Sequence, residues 1–291
     1  MGPTLLRTLP VSAASGLVRL RDVFYIVADD ELGLLAVREH GPDRTLPLLP
    51  GKLPDEHVAR KARKPDLEAL CRWPGDGLLA LGSGSTAARQ HACLIRHVPD
   101  DMSPAPVEIQ ELAPLHAELA RHFPALNLEG AAIVGDALLL LQRGNGPGNH
   151  GGVVELDLAG ALASVAAARP WGPELLRTIT RVALGDLDGA PLGFTDASPL
   201  PDGSLIYVAA AEASRDTYHD GLVTGAVIGR LGPGRAPLWQ TRLPGTRKLE
   251  GVHAELHGDD LQVWLVDDPD HRETPAALLH ARLDPHTGAW R

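Results

Sequence analysis

Short apolar runs recur along the whole chain, separated by turns rich in Gly, Asp and Pro, and their alternation has the period of strands. The stronger runs are Val23 to Ala28, Leu78 to Leu81, Ala137 to Leu141, Ser204 to Ala209 and Leu261 to Val266. Turns such as Pro74-Gly75-Asp76-Gly77, Gly135-Asp136, Pro201-Asp202-Gly203 and Gly258-Asp259-Asp260 precede them and read as hairpins. Ahead of each hairpin lies a related phrase: Ala14-Ser15-Gly16-Leu17, Leu67-Glu68-Ala69-Leu70, Leu128-Glu129-Gly130-Ala131, Thr195-Asp196-Ala197-Ser198 and Leu249-Glu250-Gly251-Val252. From Ser15 the phrases are spaced by 53, 61, 67 and 54 residues, and 56 more close the circle through the termini. Five hairpin-bearing units of similar length predict an all-β, single-domain, five-bladed β-propeller. The blades fall near 12–60, 64–122, 126–190, 193–245 and 248–291. A strand within 4–10 supplies the last blade's missing fourth strand and closes the ring. Six blades are the alternative, although no sixth copy is found. The two longest units carry helical patterns at Glu111 to Phe123 and Leu158 to Ala168.

Composition supports one turn-dense domain. The 31 Gly and 25 Pro are spread over 291 residues, and 44% hydrophobic content suffices for a core. Lys and Arg number 27 against 37 Asp and Glu, a formal charge of −10. That balance weighs against a nucleic acid or an anionic membrane as partner and suits a cation. No apolar stretch approaches the roughly 20 residues of a membrane helix. Met1 to Leu20 lacks the apolar core and cleavage site of a signal peptide, so a cytoplasmic protein is expected. Cys71 and Cys93 form neither a disulfide framework nor a zinc pattern.

In a propeller the first strand of each blade lines the central channel, so Ser15, Glu68, Glu129, Asp196 and Glu250 are expected to converge on the axis. In the fourth blade Asp196 and Ser198 are alternatives. Carboxylates that close raise one another's pKa and oppose folding unless protons or a cation neutralise them. An all-oxygen ring without His or Cys favours Ca²⁺ as the cofactor.

The phrases Pro65-Asp66-Leu67-Glu68-Ala69-Leu70, Asn127-Leu128-Glu129-Gly130 and Lys248-Leu249-Glu250-Gly251-Val252, with Val266-Asp267-Asp268, resemble uncharacterised bacterial propellers related to esterase-like phytases. The five-fold Ser/Glu ring is also similar to calcium-activated nucleotidases (apyrases). That likeness implies Ser15, Glu68, Glu129 and Glu250 as metal ligands, direct or through water. The fourth blade departs from the pattern, and so does the missing secretion signal.

Residues before the ring (Lys64, Asn127, Arg247, Lys248) and after the second strands (Asp29, Ser83, Arg143, Asp267) should share one mouth of the channel. Lys64, Arg143 and Arg247 beside a metal would suit a phosphate or carboxylate, and are the catalytic candidates for a metal-dependent hydrolase of a small anionic substrate. The alternative is a non-catalytic binding or scaffold propeller around a structural ion. The G-x-G-x-x-G at Gly146, Gly148 and Gly151 leads into a strand instead of a helix, which argues against a dinucleotide site. His253 and His257 lie in a strand pattern, not in a zinc helix. The basic run Arg60 to Lys64 reads as a solvated loop.

Overall fold

The strands of the computed structural model, which describes residues 2–144, 151–212 and 223–291, assemble into five antiparallel sheets. Blade 1 holds Ala14–Leu20, Val23–Ala28, Gly33–Arg38 and Arg44–Pro47. Blade 2 holds Leu67–Trp73, Gly77–Gly82, His91–Ile95 and Glu108–Glu111. Blade 3 holds Leu128–Val134, Ala137–Gln142, Gly152–Asp157 and Leu176–Arg181. Blade 4 consists of Ala190–Pro199, Leu205–Glu212, Val223–Leu231 and Pro237–Arg242, with the two-residue strand Asp186–Leu187 added at its inner edge. Blade 5 is built from Lys248–His257, Asp260–Asp268 and Ala277–Leu283, and Thr4–Thr8 pairs antiparallel with the last of these. The N-terminal strand therefore closes the ring, and the first strands pack side by side around the axis, the fifth against the first.

Hairpin chemistry places these strands. Val134 pairs with Ala137 across Gly135-Asp136, and Gly135 takes φ +59°, which a glycine adopts without steric cost. The apolar runs are buried on both faces, and the core is divided into five layers, one between each pair of neighbouring blades. That division explains the near-continuous Leu, Val and Ala runs, because each sheet packs against a blade on both sides. Trp73 of blade 2 stacks on Trp171 of blade 3, with ring centroids 6.2 Å apart. Cys71 and Cys93 are buried and unbridged.

Three α-helices occur among the described residues. Ala113–His122 and Leu158–Ala166 match the two helical patterns. The third, His57–Arg63, occupies most of the basic run, which is therefore helical and not a solvated loop. Glu56 caps it by accepting the N–H groups of Val58 and Ala59, and its basic last turn complements the helix dipole. No helix among the described residues is long and apolar enough to cross a membrane.

Candidate functional site

Each first strand carries a β-bulge at, or in blade 4 one residue before, the marked position of its phrase. The register shifts lie between Ala14 and Leu17, Leu67 and Ala69, Leu128 and Gly130, Phe194 and Asp196, and Leu249 and Gly251. A bulge re-aims a side chain out of the pleat. The bulged residues are thus Ser15 with Gly16, Glu68, Glu129, Thr195 and Glu250. In blade 4 the equivalent position is Thr195, and Asp196 stands one place further along. The glycine after the acid has its own reason: a Cβ on Gly251 would strike the carbonyl oxygen of Ser15 in the neighbouring blade.

Ser15, Glu68, Glu129 and Glu250 collect at one mouth of the channel in two groups. In the first, Ser15 Oγ donates to Glu68 Oε2 at 2.7 Å. Carboxylate oxygens of Asp29, Asp66 and Glu68 lie within 4.8 Å of one another. Lys64 bridges Asp29 and Asp66, at 3.0 Å from the latter, and Arg89 reaches Asp66 at 2.9 Å. In the second group the Arg143 guanidinium is buried against Glu212 at 2.6 Å, Glu129 at 3.1 Å and Glu250 at 3.9 Å. Lys248 lies 3.0 Å from Glu250 and 3.6 Å from both Glu212 and Asp268. Arg247 stays at the rim, its side chain 55% exposed, paired with Asp267.

Some of this set was hidden in the sequence. Asp66 was not among the residues expected at the mouth, whereas Asn127 and Lys248 were; all three precede the bulged glutamate of their blade by two residues, Asn127 Nδ2 donating to Glu129 and Lys248 pairing with Glu250. Asp66 could have been noticed as the one acidic member of that series. Asp268, not Asp267, contributes to the mouth, because the bulge in blade 5 sets Asp267 opposite Leu249, where its Oδ1 accepts the Ala277 N–H. Glu212, at the end of a second strand, had no marking signal. Gly146 and Gly148 lie outside the described residues.

Asp196 lies further along the axis. Its Oδ2 accepts the N–H groups of Val252 in blade 5 at 2.9 Å and Leu17 in blade 1 at 3.4 Å, and Oδ1 accepts that of Ala197 at 2.8 Å. Ser198 Oγ accepts the Ala254 N–H, and Thr195 Oγ1 donates to the Leu249 carbonyl. One buried carboxyl therefore ties three blades together across the channel. Burial pushes it well above the usual carboxylate range, against the opposite pull of its three N–H donors.

At the mouth, seven carboxylates (Asp29, Asp66, Glu68, Glu129, Glu212, Glu250, Asp268) face four cations (Lys64, Arg89, Arg143, Lys248). Glu129 Oε2 and Glu250 Oε2 are buried with no hydrogen-bond partner among the described residues. Loss of water around them raises Asp29 to about 6, Glu129 to about 7 and Asp268 to about 8, with neighbouring carboxylates adding to each. Glu68 is likewise raised, by burial first and then by the Glu129 charge. In the unfolded chain these groups titrate near 4, so between about pH 4 and pH 8 the folded state binds more protons. Their stabilising contribution is complete below that window and is lost as pH rises through it. Glu255, lowered to about 2 chiefly by its hydrogen bond from His253, acts oppositely, and its contribution is lost only in acid below about pH 4. Chelator-treated protein is accordingly expected to melt at a higher temperature near pH 5.5 than near pH 8; a Tm that climbs steadily over that interval would contradict the assignment.

Residues 10–283 match the model of DUF6929, described as a family of unknown function. No curated protein matches the sequence. Among solved structures, the chain resembles the glutaminyl cyclase of Myxococcus xanthus at 11% identity and a TM-score of 0.52, each chain covered to 96%. It also resembles an exo-1,5-α-L-arabinanase from a bovine ruminal metagenomic library at 9% identity and a TM-score of 0.50, with 96% of this chain and 95% of that one covered. At such identities the likeness concerns the fold alone, which hosts many activities.

Proposed function

The chain belongs to DUF6929, and we propose that it is a calcium-binding propeller whose charged mouth hydrolyses a small anionic substrate of the phosphate-ester class. The observation that carries this reading is the pair of buried, unpartnered oxygens, Glu129 Oε2 and Glu250 Oε2, in a mouth with more carboxylates than cations. A buried carboxylate oxygen without a partner is costly, and a hard divalent cation is the partner that oxygen donors suit. Ser15, Glu68, Glu129 and Glu250 would hold it, while the oxygens of Asp196 are already bonded to amides. An ion held there would supply Lewis-acid chemistry, polarising a phosphoryl or carboxyl oxygen.

The remaining chemistry is assigned to the chain itself. A cleft of about 340 Å³ beside the mouth is lined by Asp29, Lys64, Asp268, Asp270, Arg60 and Arg272, among others. Lys64 and the two arginines are among its cations; Arg60 and Lys64 are already paired with acids of the chain, so an anionic substrate would exchange with those pairs. Burial raises both Asp268 and Asp29 above the usual carboxylate range, which suits them to exchange a proton with the leaving group and the attacking water. Arg143 is enclosed by glutamates, so its part is to offset their charge, and Arg247 at the rim steers anions inward. The similarity of the motifs to esterase-like phytases and apyrases supports the substrate class. The arabinanase likeness is compatible with hydrolysis on this fold.

A second reading is favoured by one observation. Arg143 and Lys248 already stand 3.1 Å from Glu129 and 3.0 Å from Glu250, so the chain offsets part of its axial charge by itself. In that case the ion is structural and the propeller is a binding module. Chelator-treated protein titrated with Ca²⁺ should melt several degrees higher under the cation-binding reading, as ligand binding to the native state alone requires. Glu129→Gln and Glu250→Gln should remove most of that rise. Turnover of nucleotides, phytate, phosphomonoesters, aryl esters or lactones that depends on Ca²⁺ would support the hydrolase; stabilisation without turnover would leave the binding module. Absence of any thermal response to Ca²⁺ would overturn both.

A further inference from the structure

We propose that the opposite end of the channel is a separate ligand site, one that takes a small apolar carboxylate. Beyond the Asp196 crossing, the ends of all five first strands enclose a cavity of about 640 Å³, within the range of small-molecule sites. It stays open because many of its wall residues are small: Ala131, Ala132, Ala197 and Ala254 supply little side-chain volume. Most of the wall is apolar, and Leu256 at its rim is 37% exposed.

The charges at the wall select the ligand's head group. Glu255 accepts from Arg19 at 3.1 Å, His253 at 3.2 Å and His257 at 3.0 Å, so its negative charge is met within the protein. His253 and His257 are thereby engaged with a carboxylate and not with each other. Arg72, also in the wall, has a side chain 58% exposed, and its acidic neighbour Asp76 is 3.8 Å away and itself half exposed. Such a surface pair is weak and is readily exchanged for a better acceptor. An apolar body in the cavity and a carboxylate on the Arg72 guanidinium satisfy both features, the second by a charge-assisted hydrogen bond.

The site is independent of the cation reading at the other mouth, and calorimetry on the full chain tests it with matched probes. Octanoate and 2-naphthoate are expected to bind saturably, and 1-octanol and 2-naphthalenemethanol about tenfold more weakly, the factor one charge-assisted contact supplies. Arg72→Ala should bring octanoate down to the level of 1-octanol while leaving 1-octanol unchanged. Leu256→Asp should weaken both, and Glu129→Gln at the far mouth should alter neither. Both replaced residues, Arg72 and Leu256, are exposed, so circular dichroism should show an unaltered fold. The proposal is overturned if neither carboxylate binds, if Arg72→Ala binds octanoate as the unmodified protein does, or if Glu129→Gln with an unaltered circular dichroism spectrum abolishes binding.

Discussion

Replacing Arg143 by methionine is expected to cost the fold about 3–5 kcal/mol, the usual penalty for removing one member of a buried ionic group. The guanidinium is only 7% exposed and is shared by Glu129, Glu212 and Glu250. Without it, three acids from three blades face one another with Lys248 as the sole buried cation beside Glu250 and Glu212 among the described residues. Denaturant unfolding gives the measurement. The loss should shrink as pH falls toward 5, because Glu129, already raised to about 7 by burial, rises further without its arginine and becomes neutral there. Arg143→Lys keeps the charge but not the planar fork that spans Glu129 and Glu212, and should lie between the two. A loss under about 1 kcal/mol, the scale of an exposed pair, would show that this group is solvated.

Asp196→Ala is expected to destabilise the protein by about 3 kcal/mol or more, since it leaves three buried N–H groups without an acceptor. Two of these, on Leu17 and Val252, belong to blades on either side of the ring closure. The variant should therefore lose hydrogen-exchange protection at those amides before it loses it in the outer strands. Asp196→Asn keeps one carbonyl oxygen for Oδ2's two donors and should lose less than half as much. If alanine costs no more than asparagine, the carboxyl does not hold the blades.

Much of the architecture could be read without coordinates because it is local. Val134 meets Ala137 because Gly135-Asp136 makes a two-residue turn, and every blade repeats that logic within some fifty to seventy residues. The Leu-Glu-Gly phrase was legible for the same reason, though its glycine is explained only by the crowding of neighbouring first strands. Where the reading missed by a residue, a bulge was responsible. Counting along blade 4 points to Asp196, but the bulge lies at Thr195, and one residue of register exchanges which way a side chain faces. The same shift puts Asp268, and not Asp267, in the charged mouth. The helix His57–Arg63 was missed because its basic residues imitate a solvated loop, whereas Arg60 pairs with Asp30 and Glu31, and Lys64 with Asp29 and Asp66.

The number of blades, their hairpins and the strand that closes them follow from the order of apolar runs and turns, because each depends on residues close together in the chain. Which acids meet, which cations offset them, and that the channel has one charged mouth and one apolar cavity follow only from the closed ring. Several of those contacts join residues far apart in the chain, such as Ser15 with Glu68, 53 positions away, and Arg19 with Glu255, 236 positions away. Their energies depend on burial and on distances of a few ångströms, which a linear pattern of residue types does not contain.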